Sequence, residues 1–230
     1  MKQFIADSAY FGVAVSLIGY EFGLLVRRAF KKSFLNPLLI SVVFVMAALL
    51  ILRVDYRAYY NSAKYISYLL TPATVALAVP LYEQLELLKK NWRAVLAGIA
   101  SGTLASMTSI FLLCKLFSFT HEQYVTLLPK SIITAIGMGL SQELGGIVTI
   151  TVASIIITGI LGNVIAEFVF KLFRIRHPVA RGLALGTASH AIGTSKAMEL
   201  GQAEGAMSSL AIAVAGLLTV ICASFFAQLM

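Results

Sequence analysis

Six apolar runs of roughly membrane-spanning length constrain the fold of this chain more than any other feature. They lie at residues 8–26, 37–52, 65–82, 94–117, 147–170 and 206–229. A helix needs roughly 20 apolar residues to cross the hydrocarbon core of a bilayer. Charged residues make up only 12% of the chain, against about 25% in soluble domains. The sequence therefore predicts an all-α polytopic membrane protein, folded as one integral membrane domain over residues 1–230.

Two further segments, 131–145 and 181–200, are too rich in glycine and polar residues to be ordinary lipid-facing helices. Backbone polar groups in a bilayer must find partners within the protein, so irregular backbone there is buried or lines a wet cavity. We interpret both segments as broken, re-entrant or interior elements. With the apolar runs they give about six to eight membrane segments, an organisation similar to that of transporters with discontinuous helices.

Basic residues occur in short clusters between the apolar runs, which is typical of topology signals in membrane proteins. The formal net charge is +8, yet this distribution does not favour a nucleic-acid-binding face. A re-entrant 131–145 segment allows all three clusters to face the cytoplasm. The clusters are Arg27/Arg28/Lys31/Lys32, Lys89/Lys90/Arg93 and Lys171/Arg174/Arg176/Arg181.

A weak internal repeat relates residues 69–117 to residues 127–173. The two units begin with LLTPATVALAVPLYEQLEL and LLPKSIITAIGMGLSQELG, and each continues into an apolar helix that ends in KLF. Under the re-entrant topology the two KLF ends lie on opposite membrane faces, as an inverted repeat requires. Chance similarity is the alternative explanation.

The polar segment 181–209 contains eleven Gly, Ser and Thr residues around His190, Lys196, Glu199 and Glu204. Ionisable groups at membrane depth are costly and mark functional sites. A broken helix here would present free N–H groups, hydroxyls and a cation to an anionic substrate. The predicted substrate-binding residues are Thr187, Ser189, His190, Gly193, Thr194, Ser195 and Lys196.

Structural alternatives exist for the same residues. His190 also fits a core histidine that is hydrogen-bonded to a backbone carbonyl, and Lys196 fits an ion pair with Glu199. Glu167, which lies near basic residues, is interpreted as a member of an ion pair. Small residues at helical spacing favour close packing against a neighbouring helix. This small face comprises Gly182, Gly186, Ser189 and Gly193.

The sequence offers no signature of an enzyme. Ser189 and His190 are adjacent, and adjacent helical positions point about 100° apart, so they do not form a nucleophile–base pair within one helix. We find no nucleophile-elbow pattern, metal motif or phosphate-binding glycine loop. Cys114 and Cys222 lie in apolar segments. We expect no enzymatic activity, no cofactor and no metal.

Four stretches closely resemble the LrgB/CidB family: LNPLLIS, LTPATVALAVPLYEQ, LPKSIITAIGM and GLALGTASHAIGTSKAMELGQAEGAMSSLA. The resemblance covers nearly the whole chain. Relatives often carry a second proline soon after LPKS, which this chain lacks. By the resemblance, the motif residues Pro72, Pro80, Tyr82, Lys130 and Ser131 would frame the second side of a substrate cavity.

The resemblance implies two classes of function. Bacterial members are described as antiholin-like or holin-like proteins that act with a small LrgA/CidA-type membrane partner to modulate murein hydrolases and cell lysis. A plant relative looks like a plastid glycolate/glycerate transporter, and bacterial pairs have been linked to pyruvate movement. Buried glycine breaks combined with Ser, Thr, His and Lys favour transport of small organic anions by alternating access, and lysis control is the alternative.

The sequence bears on location, and the resemblance bears on assembly. The N-terminal apolar run lacks a clear cleavage site and is expected to stay as the first membrane helix. No soluble domain or transit segment is visible, so a multi-pass protein of the bacterial inner membrane is expected. Beside the lipid bilayer, expected partners are the LrgA/CidA-type protein and a small carboxylate, and a homo-oligomer is compatible with the sequence.

Overall fold

A computed structural model describes residues 10–30, 37–69, 72, 75–76, 82–83 and 85–230. All regular secondary structure in these residues is helical, as predicted, and the chain divides into two compact units, Met1–Ala76 and Leu77–Met230. The helices are α1 Phe11–Phe30, α2 Pro37–Leu52, α3 Tyr56–Ser67, α4 Leu85–Leu116, α5 His121–Leu127, α6 Thr134–Glu143, α7 Val148–Leu172, α8 Pro178–Leu200 and α9 Gln202–Ala227.

The first unit is organised around a glycine face on α1. The backbone N–H of Gly12 donates to Ser62 Oγ of α3 at 2.8 Å. At the other end of α1, a Cβ on Gly23 would overlap the carbonyl oxygen of Pro37, where α2 begins. Glycine allows two helix backbones to approach closely where a hydrophobic driving force between helices is weak.

Three helices of the second unit are long and apolar enough to cross a membrane, among the residues that the structure describes. They are Lys89–Leu116 within α4, Val148–Leu172 and Gln202–Ala227. They correspond to the predicted spans 94–117, 147–170 and 206–229. α2 matches the predicted run 37–52 but is a shorter apolar helix, and much of 65–82 lies outside the described residues. The total of six to eight membrane segments stays a prediction.

Buried apolar side chains of the second unit form clusters where helices cross. Val95 of α4, Val179 of α8 and Met207 of α9 belong to one cluster. Met107 of α4, with Tyr124 of α5, belongs to another that includes the C-terminal part of α9. These contacts hold α4, α8 and α9 together, and they place α5 against the C-terminal halves of α4 and α9.

The first half of α8 packs tightly against α9 through the small face that the sequence indicated. A Cβ on Gly182 would overlap the carbonyl oxygen of Glu204, and one on Gly186 would overlap that of Ser208. The packing interpretation of these two glycines is therefore confirmed.

α8 is broken at His190, whose φ is 42° and ψ is −135°. A residue with a Cβ rarely adopts a positive φ, and such backbone is strained. The two halves, 178–189 and 191–200, fold onto each other, because a Cβ on Gly193 would overlap the carbonyl oxygen of Leu185. In a straight helix residues eight apart are separated by roughly 12 Å. The predicted break in 181–200 is thus located at one residue, while re-entry into the membrane stays a prediction.

α4 and α7 both end inside KLF with the same local geometry. Ser118 has a φ of 53° and Arg174 a φ of 54°. In each case the N–H of the following residue donates to a carbonyl oxygen five residues earlier. Phe119 donates to Cys114 at 2.9 Å, and Ile175 donates to Phe170 at 2.8 Å. This is a Schellman ending. α2 ends in the same way at Arg53, with a φ of 51°. Because α2 lies outside both repeat units and ends in the same way, the shared helix ending is not evidence for the repeat. The inverted repeat stays a prediction.

Candidate functional site

A cavity of about 1220 Å³ lies within the second unit, bordered by α4, α7, the first half of α8 and the loop between α5 and α6. Its lining on α4 extends from Asn91 to Ser109, a rise of roughly 27 Å along the helix. The hydrocarbon core of a bilayer is about 30 Å thick. The cavity therefore follows nearly the whole length of a candidate membrane span.

Small and hydroxyl-bearing side chains dominate the wall that α4 contributes. Ser101 Oγ donates to the carbonyl oxygen of Gly98 at 3.0 Å, and Ser109 Oγ donates to that of Ser106 at 2.7 Å. These two hydroxyls consequently present lone pairs to the cavity. The α4 lining includes Gly98, Ser101, Gly102, Ala105, Ser106 and Ser109.

Lys130 gives the cavity a positive charge. Pro129 ends the short helix α5, and the turn that follows directs Lys130 into the lining. Lys130 Nζ donates to Ser131 Oγ at 3.1 Å, and Ser131 Oγ lies 2.9 Å from Ser106 Oγ. Burial lowers the pKa of the Lys130 ammonium from its ordinary value. Among the residues that the structure describes, no carboxylate pairs with Lys130 and none lines the cavity.

The opposite wall comes from α7 and from the residues just before the break in α8. Gly162 of α7 leaves the space that Ser189 occupies, since a Cβ on Gly162 would overlap Ser189 Oγ. Gly102 of α4 accommodates Thr187 in the same way, because a Cβ added to Gly102 would lie 2.9 Å from the methyl carbon of Thr187. Thr187 and Ser189 thus line the cavity, as does Thr158. Lys130 and Ser131 border it too, so four of the predicted site residues meet here.

His190 lies behind this wall and does not line the cavity. It is 3% exposed, its Nε2–H donates to the carbonyl oxygen of Ile155 at 3.0 Å, and its ring packs on Gly159. A carbonyl oxygen only accepts, so Nε2 carries the proton. This is the core histidine that the sequence offered as the alternative, and it holds the break in α8 against α7.

The predicted residues after the break also lie outside the cavity lining. Thr194 Oγ1 donates to the carbonyl oxygen of His190 at 3.0 Å and lies 2.7 Å from Ser208 Oγ of α9. Gly193 packs on Leu185, and Ser195 is exposed, with its Oγ donating to the carbonyl oxygen of Ile192 at 2.8 Å. Ligand contacts by these three residues stay a prediction.

Lys196 forms ion pairs rather than facing the cavity. Its Nζ lies 2.6 Å from Glu167 Oε1 on α7 and 3.4 Å from Glu199 Oε2. The ion-pair interpretations of Lys196 and Glu167 are therefore confirmed. The pair with Glu167 joins the second half of α8 to α7, which gives Lys196 a structural role in this arrangement.

The remaining predicted residues lie elsewhere or outside the described part of the chain. Pro72 and Tyr82 are exposed; Tyr82, of the second unit, does not line the cavity. Pro80 lies outside the described residues. No group of three or more His, Cys, Asp or Glu side chains suited to a metal ion occurs in the described ranges.

The α4 wall was not among the residues predicted from the sequence, and neither was His177, which borders the cavity at the start of α8. A signal for the wall was present: small and hydroxyl residues recur at spacings of three and four from Gly98 to Ser109, in a helix that otherwise reads as an ordinary span. A polar, small-residue face on an apolar helix indicates contact with another helix or with a wet cavity.

An all-helical fold, three helices of membrane-spanning character and a hydroxyl-lined cavity with one half-buried lysine define a helical membrane protein. The LrgB-like family model matches residues 16–229. An antiholin-like protein LrgB of Bacillus cereus is 37% identical over 218 residues, covering 94% of this chain and 95% of the relative, and the antiholin-like protein LrgB of Bacillus anthracis matches equally. The chain belongs to the LrgB-like family. No solved structure matches it.

Proposed function

We propose that the cavity binds small organic anions of the glycolate, glycerate and pyruvate class, and that the protein carries them across the membrane by alternating access. The observation that supports this proposal is Lys130, a half-buried cation with no carboxylate partner among the described residues, in a cavity with a hydroxyl-rich wall. An unpaired cation in a partly desolvated site favours an anionic ligand.

The hydrogen-bonding groups that line the cavity fit such a ligand. A lysine ammonium has three N–H donors, and one is used on Ser131 Oγ. Two donors therefore remain for a carboxylate. Ser101 and Ser109 donate to their own helix and present oxygen lone pairs, which suit the hydroxyl of glycolate or glycerate. Pyruvate lacks that hydroxyl, so these serines favour the hydroxy acids.

The break in α8 supplies an element that alternating access needs. Thr187 and Ser189 lie on one side of His190, in the cavity wall, and Lys196 lies on the other, paired with Glu167. A change in the backbone conformation of His190 would move the cavity wall that contains Thr187 and Ser189 relative to the second half of α8. Hinges are short stretches that absorb a large backbone change.

A second candidate function is favoured by the names of the relatives, which read antiholin-like protein and fit a lysis regulator better than a carrier. In this alternative the chain acts in the bacterial inner membrane with a small LrgA/CidA-type protein to modulate murein hydrolases. The two candidates are compatible if metabolite movement and control of lysis are linked.

Uptake into proteoliposomes separates the two candidates. The chain is reconstituted with and without the small partner, and uptake of radiolabelled glycolate, glycerate and pyruvate is measured beside release of a large trapped dye. The proposal predicts uptake that saturates with substrate concentration, competes among the three anions and leaves the dye inside. Release of the dye together with unsaturable uptake would support a pore and contradict the carrier.

A further inference from the structure

A second, much smaller cavity adjoins the large cavity that contains Lys130, here called the anion cavity, and shares Ser106, Ser131 and Thr187 with it. Its volume is about 10 Å³, close to the roughly 10–15 Å³ that one water molecule needs. Five of its lining residues carry a hydroxyl: Thr103, Ser106, Ser131, Thr187 and Thr219. They come from α4, the loop before α6, α8 and α9.

Two of these hydroxyls have no hydrogen-bond partner among the residues that the structure describes. Thr103 is 4% exposed and Thr187 is 7% exposed, and the Oγ1 atom of each is fully buried and unpartnered. A buried hydroxyl without a hydrogen-bond partner destabilises the folded state. Two such groups around one small polar cavity point to a ligand that is able to bond to both.

The hydrogen-bonded chain from Lys130 decides which ligand fits. Lys130 donates to Ser131, and Ser131 lies within hydrogen-bond distance of Ser106. When each hydroxyl accepts once and donates once, the protons of this chain run from Lys130 towards Ser106, and the O–H of Ser106 is left for the small cavity. A metal cation needs oxygen lone pairs and a negative counter-charge, whereas this chain starts at an ammonium, and no carboxylate is among the described lining residues.

We propose that this small cavity is a binding site for one ordered water molecule, which accepts a hydrogen bond from Ser106 and donates to Thr103 and Thr187. The water gives both buried hydroxyl oxygens a hydrogen-bond partner and links α4 to α8, immediately before the break at His190. The water also extends the hydrogen-bonded chain of Lys130, Ser131 and Ser106 to Thr187. Thr187 borders both cavities, so the chain reaches the α8 wall of the anion cavity. This site stands independently of whether the larger cavity binds an anion.

The sign of a stability change tests the proposal. Valine has nearly the shape of threonine without the hydroxyl, so in a dry cavity Thr103→Val and Thr187→Val would remove an unsatisfied polar group and raise the melting temperature. With the water present, each variant removes one of its partners and lowers the melting temperature. We expect a decrease for both, and Thr103→Ser, which keeps the hydroxyl, should lie closer to wild type than Thr103→Val does.

Two further measurements make the result decisive. A high-resolution experimental structure should show one density peak within hydrogen-bond distance of Thr103 Oγ1 and Thr187 Oγ1, and that peak should be absent in the double Val variant. Melting temperatures are also compared in sodium and in choline salts. An increase in melting temperature for the Val variants, or no peak in the wild-type protein, would overturn the proposal. A sodium-specific stabilisation that is lost in Thr103→Val would assign the site to a cation and overturn it as well.

Discussion

His190 combines a strained backbone with a satisfied side chain. Its positive φ costs about 1–3 kcal/mol, while its ring donates to the Ile155 carbonyl and packs on Gly159. Strain of this kind persists where the surroundings fix the conformation, and the bond to α7 provides that restraint. The residue therefore fixes the shape of α8, and its ring lies outside the cavity lining.

Replacing His190 separates these two effects. His190→Ala loses the side-chain bond and keeps the strain, whereas His190→Gly loses the bond but adopts the positive φ freely. We expect His190→Ala to be destabilised by about 1–3 kcal/mol and His190→Gly to be more stable than His190→Ala by about 1 kcal/mol. Chemical denaturation in detergent measures both. A glycine variant less stable than the alanine variant would show that the backbone is not strained at this position.

The proposed anion binding by Lys130 would depend on pH. Burial lowers the pKa of its ammonium below 10.5, so the folded protein binds fewer protons than the unfolded chain between that lowered pKa and 10.5. Stability therefore rises with pH across this window. Affinity for an anion has the opposite dependence, because the anion requires the charged form.

The dissociation constant of glycolate, measured from neutral pH up to 10.5, tests this dependence. We expect a constant affinity at low pH and a loss of about tenfold per pH unit once the lowered pKa is passed. Binding at pH values above that pKa should be accompanied by proton uptake, because a bound carboxylate raises the pKa of Lys130. A constant affinity up to pH 10.5 would exclude Lys130 as the group that binds the carboxylate.

At the scale of the helices, glycine positions decide how α8 packs. Gly182 and Gly186 bring its first half against α9, and Gly162 of α7 leaves room for Ser189. The sequence identified the small face and the segment that breaks. It did not identify His190 as the point of the break, because that depends on α7 supplying both Gly159 and the Ile155 carbonyl from a distant part of the chain.

Two glycine substitutions test the packing with matched chemistry. Gly186→Ala places a Cβ against the Ser208 carbonyl and 2.7 Å from the Ala211 Cβ, and we expect a loss of about 1–3 kcal/mol. Gly139→Ala, in helix α6, has no atom within 4 Å of the new Cβ, so the helix propensity of alanine should stabilise it by up to about 1 kcal/mol. Thermal unfolding distinguishes them. Equal stability of the two variants would contradict the close approach of α8 and α9.

At the scale of the whole molecule, the sequence predicted the class of protein well and the site in part. Apolar runs need no tertiary information, so the three long helices of the second unit were predictable. Lys130, Ser131, Thr187 and Ser189 border one cavity, and their contacts with a ligand stay a prediction. The sequence spacing indicates Glu199 as an ion-pair partner of Lys196 but does not reveal Glu167, which lies on α7. A ligand contact by Lys196 stays a prediction.

Equilibrium binding to the purified protein tests the central claim, that Lys130 makes the second-unit cavity an anion site, most directly. Affinities for glycolate, glycerate and pyruvate are compared in wild type, Lys130→Gln and Lys115→Gln, where Lys115 is exposed and lies outside the cavity lining. Melting temperatures verify that both variants are folded. We predict a loss of about 10- to 100-fold for Lys130→Gln and wild-type affinity for Lys115→Gln. Equal binding by wild type and a folded Lys130→Gln variant would contradict the claim.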